Sequence, residues 1–390
     1  MIPRDLLLVA LSLFFWGIGE GMFAYFQPIY LQQWGADPLM IGGILGALGI
    51  SMTVAQAPAG YLADRIGPRP VMWSSWILGT LAATTMALAG SLPLFVAGML
   101  MYGLTSFVVA PMNTYLASAR GSWSLERALT VPSAMFNLGM VIGPILGGLV
   151  AEASGIRHIY AISSGIFILS TVIVLFARRE PSDAHNEVTA QRPNLLRNPR
   201  FLGLLGLIAM TTFALYIPQP LTPNFLQNQA GLSLKTIGQL GSVGSLGNTL
   251  VVLSLGSLKA PAGFLIGQIL MGLFALIMWR GSSTTWFAVG YFFIGGFRLT
   301  RAMALAYARY FIRSTETGLA FGLIETANGI AIILAPLVAG VLYTAGPRLM
   351  YLVSLILIVC LVIANLALRR WQSYQRKIAV EAPSEHEITS

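Results

Sequence analysis

Long apolar stretches alternate with short turn-rich or charged breaks along the whole chain. Stretches of helix length fall at approximately 6–33, 39–64, 70–90, 93–119, 125–152, 158–178, 201–228, 234–257, 261–280, 285–312, 317–344 and 348–370. Each approaches or exceeds the roughly 20 residues that an α-helix needs to cross a hydrocarbon core. The breaks carry helix stoppers or charges, such as Gly35-Ala36-Asp37-Pro38, Asp64 to Pro70, Arg120 to Arg127 and Gly281-Ser282-Ser283. The pattern predicts an all-α membrane protein with twelve transmembrane helices. The first stretch, Leu6 to Trp34, is longer than a signal-peptide core of about 7–15 residues and shows no small-residue cleavage site, so it reads as the first span.

Composition agrees. Of 390 residues, 56% are hydrophobic and 9% are charged, against about a quarter charged in soluble domains; a water-soluble enzyme is excluded. The net charge of +9 would suggest nucleic acid in a soluble protein, but here it follows the topology. With the N-terminus inside, 17 Lys and Arg fall on the cytoplasmic side, four on the other, and Arg298 and Arg301 lie within a span. That asymmetry places both termini in the cytoplasm. The compact chain suggests a bacterial inner (plasma) membrane. Cys360 is the single cysteine, and His158, His185 and His386 fall in loops or the tail, so no disulfide framework or metal site is expected. No Walker phosphate loop is present, and no cofactor or nucleic-acid partner is expected.

The chain also repeats itself. Residues 28–49 align without a gap to 223–244, with identities at Pro28/Pro223, Leu31/Leu226, Gln32/Gln227, Leu39/Leu234, Gly43/Gly238, Leu45/Leu240, Gly46/Gly241 and Gly49/Gly244, an offset of 195. Ala128, Pro144 and Gly148 match Ala320, Pro336 and Gly340 at an offset of 192. Both offsets are near half the length, which predicts two pseudo-symmetric six-helix bundles, 1–178 and 201–372. A charged linker, 179–200, joins them, and 373–390 reads as a disordered cytoplasmic tail. Parallel halves of this kind are one architecture for alternating access, with substrate bound near the midplane between them.

Gly60-Tyr61-Leu62-Ala63-Asp64-Arg65-Ile66-Gly67-Pro68-Arg69 resembles the loop 2–3 signature of the major facilitator superfamily, with Pro68 in place of a common basic residue. The resemblance extends through nearly the whole chain. It implies that the loop latches the cytoplasmic side, with Asp64 central and Gly60, Arg65, Gly67 and Arg69 supporting it. Physically, Asp64 suits a helix N-terminus and the glycines suit close approach and a tight turn. The second half keeps only Gly256-Ser257-Leu258-Lys259-Ala260-Pro261-Ala262-Gly263, without an acid. In span five, Gly139, Gly143, Pro144, Gly147 and Gly148 resemble the G-x-x-x-G-P-x-x-G-G signature of antiporters in the superfamily; an upstream glycine is replaced by Thr130, and the span-four arginine of proton-coupled exporters is missing. Small residues at that spacing also serve plain helix packing.

Ionisable groups at membrane depth are expensive and are functional hypotheses by default. Four occur: Glu20, Arg298, Arg301 and Glu325. At ~1.5 Å per residue, Glu20 and Arg298 lie about 21 Å from the cytoplasmic end, Arg301 about 16 Å and Glu325 about 12 Å. Depth therefore suggests the pairs Glu20 with Arg298 and Glu325 with Arg301; alternatively the two arginines, one turn apart, clamp an anion. Trp16, Glu20, Phe23 and Gln27 fall at helical spacing and form a stripe that suits a cavity wall or packing. A carboxyl group at Glu20 can bind a cation or take a proton, because burial disfavours its charged form. Asn137 and other intramembrane asparagines add hydrogen-bonding capacity. The expectation is a monomeric secondary transporter of a small organic solute, an exporter with proton antiport. The alternatives are a sugar or organic-anion transporter without proton coupling, a lipid translocase, and a non-transporting membrane sensor.

Overall fold

The computed structural model describes residues 3–56, 62–63, 65–177, 195, 198–313 and 316–381. Helix occupies all twelve predicted stretches, and no strand occurs among the described residues. The N-terminal half comprises α1 (Arg4–Ala24), α2 (Gln27–Gln33), α3 (Pro38–Val54), α4 (Pro68–Leu88), α5 (Leu92–Leu104), α6 (Val109–Ala119), α7 (Leu125–Ser154) and α8 (Ile156–Leu175). The C-terminal half comprises α9 (Pro199–Tyr216), α10 (Thr222–Asn228), α11 (Leu234–Leu255), α12 (Ala260–Arg280), α13 (Thr284–Phe293), α14 (Gly295–Ala308), α15 (Thr317–Ala345) and α16 (Leu349–Glu381). Among the described residues, nine helical segments are long and apolar enough to cross a membrane.

Four stretches that read as continuous are broken, and proline explains the first pair. A proline lacks the N–H that would bond the carbonyl four residues earlier and clashes with it. Helix α1 ends at Ala24, four residues before Pro28, and α9 ends at Tyr216, four before Pro220. The short helices α2 and α10 then carry Pro28 and Pro223 in their first turns, where a missing N–H costs nothing. Between α5 and α6 a 3-10 turn spans Thr105–Val108, and between α13 and α14 Ile294 precedes Gly295-Gly296.

The structure confirms the repeat and corrects its alignment. Helices α2 and α10 match at the offset of 195, and α7 and α15 begin in register at 192. The connection after α10 is one residue longer than that after α2: the left-handed turn glycines are Gly35 (φ 88°) and Gly231 (φ 65°), and the capping residues Asp37 and Ser233 accept from Met40 N–H and Thr236 N–H. From there the offset is 196, which pairs buried Ile41 with Ile237 and Gly42 with Gly238. The gapless match of Gly43 to Gly238 is a one-residue slip in glycine-rich sequence.

Contacts between the halves follow this symmetry. Helix α3 crosses α15, α7 crosses α11, and α2 meets α10. A β-carbon on Gly42 would collide with the Pro336 carbonyl oxygen and crowd Gly340, while one on Gly238 would collide with the Pro144 carbonyl oxygen and Gly148. Both crossings lie near the starts of α3 and α11, on the face opposite the one where α1 begins. The latter, rich in arginine, is termed the basic face here.

The last helix departs from expectation. Residues 373–381, read as disordered tail, continue α16 to Glu381. No glycine or proline occurs between Arg348 and Ala382, and Gln, Arg, Lys and Ala favour helix; Pro383 is the first breaker. Gly60, Asp64 and nearly all of the linker lie outside the described residues.

Candidate substrate and coupling site

The broken ends of α1 and α9 face each other across the interface between the halves and wall a cavity of about 270 Å³. Ala24, Tyr25, Gln27 and Pro28 contribute from one half, and Tyr216, Gln219, Asn248 and Tyr291 from the other. The walls are mainly apolar, aliphatic and aromatic, with a few amides, the composition that small organic ligands favour. On the side away from the basic face, neutral hydrogen bonds join α2 to α10. Asn224 Nδ2 donates to the Pro28 carbonyl at 3.1 Å and to Gln32 Oε1 at 2.7 Å, and Asn228 Nδ2 donates to Gln32 Oε1 at 3.0 Å.

Glu20 lies one helical turn from Ala24, toward the basic face. The Tyr102 hydroxyl donates to Glu20 Oε2 at 2.8 Å, and Trp16 Nε1 donates to the Tyr102 oxygen at 3.1 Å. Trp16 is itself held between rings, with centroids 4.3 Å from Phe167 and 5.5 Å from Trp76. Trp16 and Phe23 are therefore packed inside the N-terminal half, while Gln27 of the same stripe lines the cavity. Tyr102 was not legible in the sequence, being one tyrosine in an apolar run.

Across the interface, Tyr291 and Ile294 line the cavity, and Arg298 and Arg301 continue that face toward the basic side at helical spacing. Arg301 Nη2 meets Glu325 Oε2 at 2.6 Å, as depth suggested; these side chains are 36% and 43% exposed. The other suggested pair does not close. Glu20 and Arg298 interact through space, but no ion pair joins them, and Tyr102 takes the carboxylate. Depth fixes position along a helix axis and leaves the direction around it open. Arg298 is exposed, with Glu20 and Tyr25 of the opposite half as its electrostatic neighbours, so it faces the space between the halves.

The span-five glycines do two jobs. Gly139, Gly143 and Gly147 lie against the α1 backbone, at Gly17, Gly21 and Met22 respectively. This face-to-face small-residue packing fixes the helix that carries Glu20. Pro144 and Gly148 instead meet α11 of the other half. Asn137 sits one turn from the cavity-lining Met140, toward the basic face. In the loop 2–3 segment, Gly67 takes φ 87° just before α4, a conformation that disfavours other residues, and the Arg69 guanidinium lies 4.9 Å from the centroid of the Trp73 ring.

Two six-helix halves around a cavity, pinned together at one face, define a membrane transporter architecture. The chain belongs to the Major Facilitator Superfamily, which it matches over residues 9–263. It is 22% identical over 352 residues to the quinolone resistance protein NorA of Staphylococcus aureus, covering 87% of this chain and 90% of that protein. It is 28% identical over 177 residues to an uncharacterised MFS-type transporter of Methanocaldococcus jannaschii, covering 44% and 45%. Among solved structures, a mutant of the nucleoside transporter NupG superposes with a TM-score of 0.82 at 15% identity, covering 93% of this chain and 99% of that one. A bacterial homologue of the lysosomal transporter Spinster, inward-facing and occupied, gives 0.74 at 13% identity, covering 94% and 96%.

Proposed function

We propose that this protein is a proton-coupled secondary transporter that exports a small organic solute by alternating access, with Glu20 as the proton-carrying group. The observation that carries the reading is the placement of Glu20 beside the inter-half cavity, held by the Tyr102–Trp16 relay and facing Arg298 without contact. Such a carboxyl group can gain and lose a proton as access to it changes. The likeness to a quinolone resistance protein supports export. The distribution of basic residues supports cytoplasmic termini in a plasma membrane, so the side on which Arg298, Arg301 and Glu325 are exposed is the cytoplasmic one. Asp64 and the loop around it are proposed to latch that side when the far side opens.

The test begins with a thermal-stabilisation screen of small organic solutes in detergent, followed by flux of each hit in proteoliposomes. An imposed pH gradient is expected to raise the initial rate several-fold, and Glu20→Gln to remove that stimulation while leaving solute exchange at equilibrium. Equal flux with and without the gradient would remove proton coupling. Binding without any flux would instead point to a sensor.

A further inference from the structure

The charges around the cavity are not equivalent. Arg301 is occupied by Glu325 at 2.6 Å, and Glu20 accepts from Tyr102. Arg298 has no hydrogen bond or ion pair among the described residues; its neighbours Glu20 and Tyr25 act on it only through space. It is exposed into the gap between the halves, one turn from cavity-lining Ile294. A guanidinium presents a planar fork of donors that suits a carboxylate. Asn248 lines the cavity, and its side-chain oxygen is buried with no donor. Buried acceptors are ordinarily satisfied. The site therefore offers a cation with no anion beside a cavity walled by Tyr25, Tyr216 and Tyr291 and by Asn248, whose acceptor has no donor.

We propose that the solute is a small organic anion with an aromatic or apolar body, its anionic group anchored by Arg298 and a hydroxyl or N–H group on that body donating to Asn248. This rests on the transporter reading above and gives its substrate class. Arg301 is not the anchor, because binding there would first have to displace Glu325. The cavity volume fits a solute of one or two rings.

Three probes sharing one skeleton separate charge from shape: 3-(4-hydroxyphenyl)propanoate, its primary amide, and 3-(4-hydroxyphenyl)propylamine. Binding to the full chain in detergent is measured by calorimetry. The anion is expected to bind at least tenfold more tightly than the amide or the amine. Arg298→Gln should weaken the anion by about 10- to 100-fold, the range for hydrogen bonds to a charged group, and leave amide binding unchanged. Arg298→Lys should retain part of the preference, which guards against a misfolded variant. Arg301→Gln should keep it, and Asn248→Leu should weaken all three probes by a few-fold. Equal binding of the three probes, or a preference that survives Arg298→Gln, would overturn the proposal. Displacement of the anion by phosphatidylglycerol but not by excess soluble carboxylate would also overturn it, since the site would then hold a lipid headgroup. Flux separates the two levels of inference. Arg298-dependent anion binding without flux would count against transport and leave the anchor standing, whereas flux of the amine or the amide alone would do the reverse.

Discussion

The two halves share one helical skeleton and bury different polar groups within it. In the N-terminal half the glue is hydroxyl. Trp76 Nε1 donates to Ser12 at 2.7 Å and Ser170 at 3.1 Å, Thr80 meets Thr171 at 2.7 Å, and Thr84 meets Ser164 at 2.8 Å, joining α1, α4 and α8. In the C-terminal half it is amide: Gln268 donates to Thr211 at 3.0 Å, Asn365 to Gln268 at 3.1 Å, and Asn328 accepts from Thr212 at 2.7 Å. A hydroxyl has few hydrogen-bonding sites, and its own helix can supply an acceptor. An amide has two donors and a carbonyl oxygen with two lone pairs, and here Asn328 Nδ2 and Asn365 Oδ1 are buried without partners. The comparison teaches that duplication preserved the positions of proline and glycine, which set the backbone, while polar chemistry diverged. The half with the Trp76–Ser12–Ser170 network holds Glu20, and the half with the spare amide groups holds Arg298 and the Arg301–Glu325 pair.

The strongest way to break the symmetry is at the helix crossings. Gly42→Ala and Gly238→Ala should each destabilise the protein by about 1–3 kcal/mol, as overpacking does, with comparable losses of transport. Gly43→Ala should stay within about 0.5 kcal/mol, because its β-carbon would meet only Leu337 at 3.9 Å. Thermal unfolding in detergent checks all three, and equal effects at Gly42 and Gly43 would undo the corrected register. Next comes the hydroxyl network. Ser170→Ala strips a partner from both Trp76 and Ser12 and should cost about 1–2 kcal/mol, whereas Asn365→Ala should cost nearer the ~0.6 kcal/mol average for membrane hydrogen bonds, since it also removes an unsatisfied oxygen. Glu325→Gln breaks a solvent-reachable ion pair and should cost about 0–1 kcal/mol; it frees Arg301, so anion affinity should rise a few-fold by calorimetry. The smallest effect is expected at exposed Cys360, where Cys360→Ser should shift stability by less than about 0.5 kcal/mol and give a cysteine-free background for cross-linking Gln32 and Asn228 positions.

Much of this was legible in the sequence. Hydropathy located all twelve stretches, and helical rise alone paired Arg301 with Glu325. The helix breaks were written in Pro28 and Pro220, but apolar continuity across them hides the interruption. The one-residue slip is hidden in the sequence because glycine and leucine are frequent enough to produce identities one position out. Tyr102 carried no signal: a tyrosine in an apolar span reads like any aromatic, and only three-dimensional packing turns its hydroxyl toward Glu20. The association of Asn224 with Gln32 joins residues 192 apart, beyond the reach of any local pattern.

The fastening between α2 and α10 contains no ionisable side chain. Gln32, Asn224 and Asn228 keep the same charge across the physiological range, and attraction between neutral amides is little affected by added electrolyte. That contact should therefore be indifferent to acidity and ionic strength, whereas at the same end Lys235 N–H donates across the halves to the Glu152 carboxylate at 3.3 Å. Any titration seen in turnover then originates elsewhere in the molecule, which makes this latch a silent background against which a protonation event at Glu20 can be read.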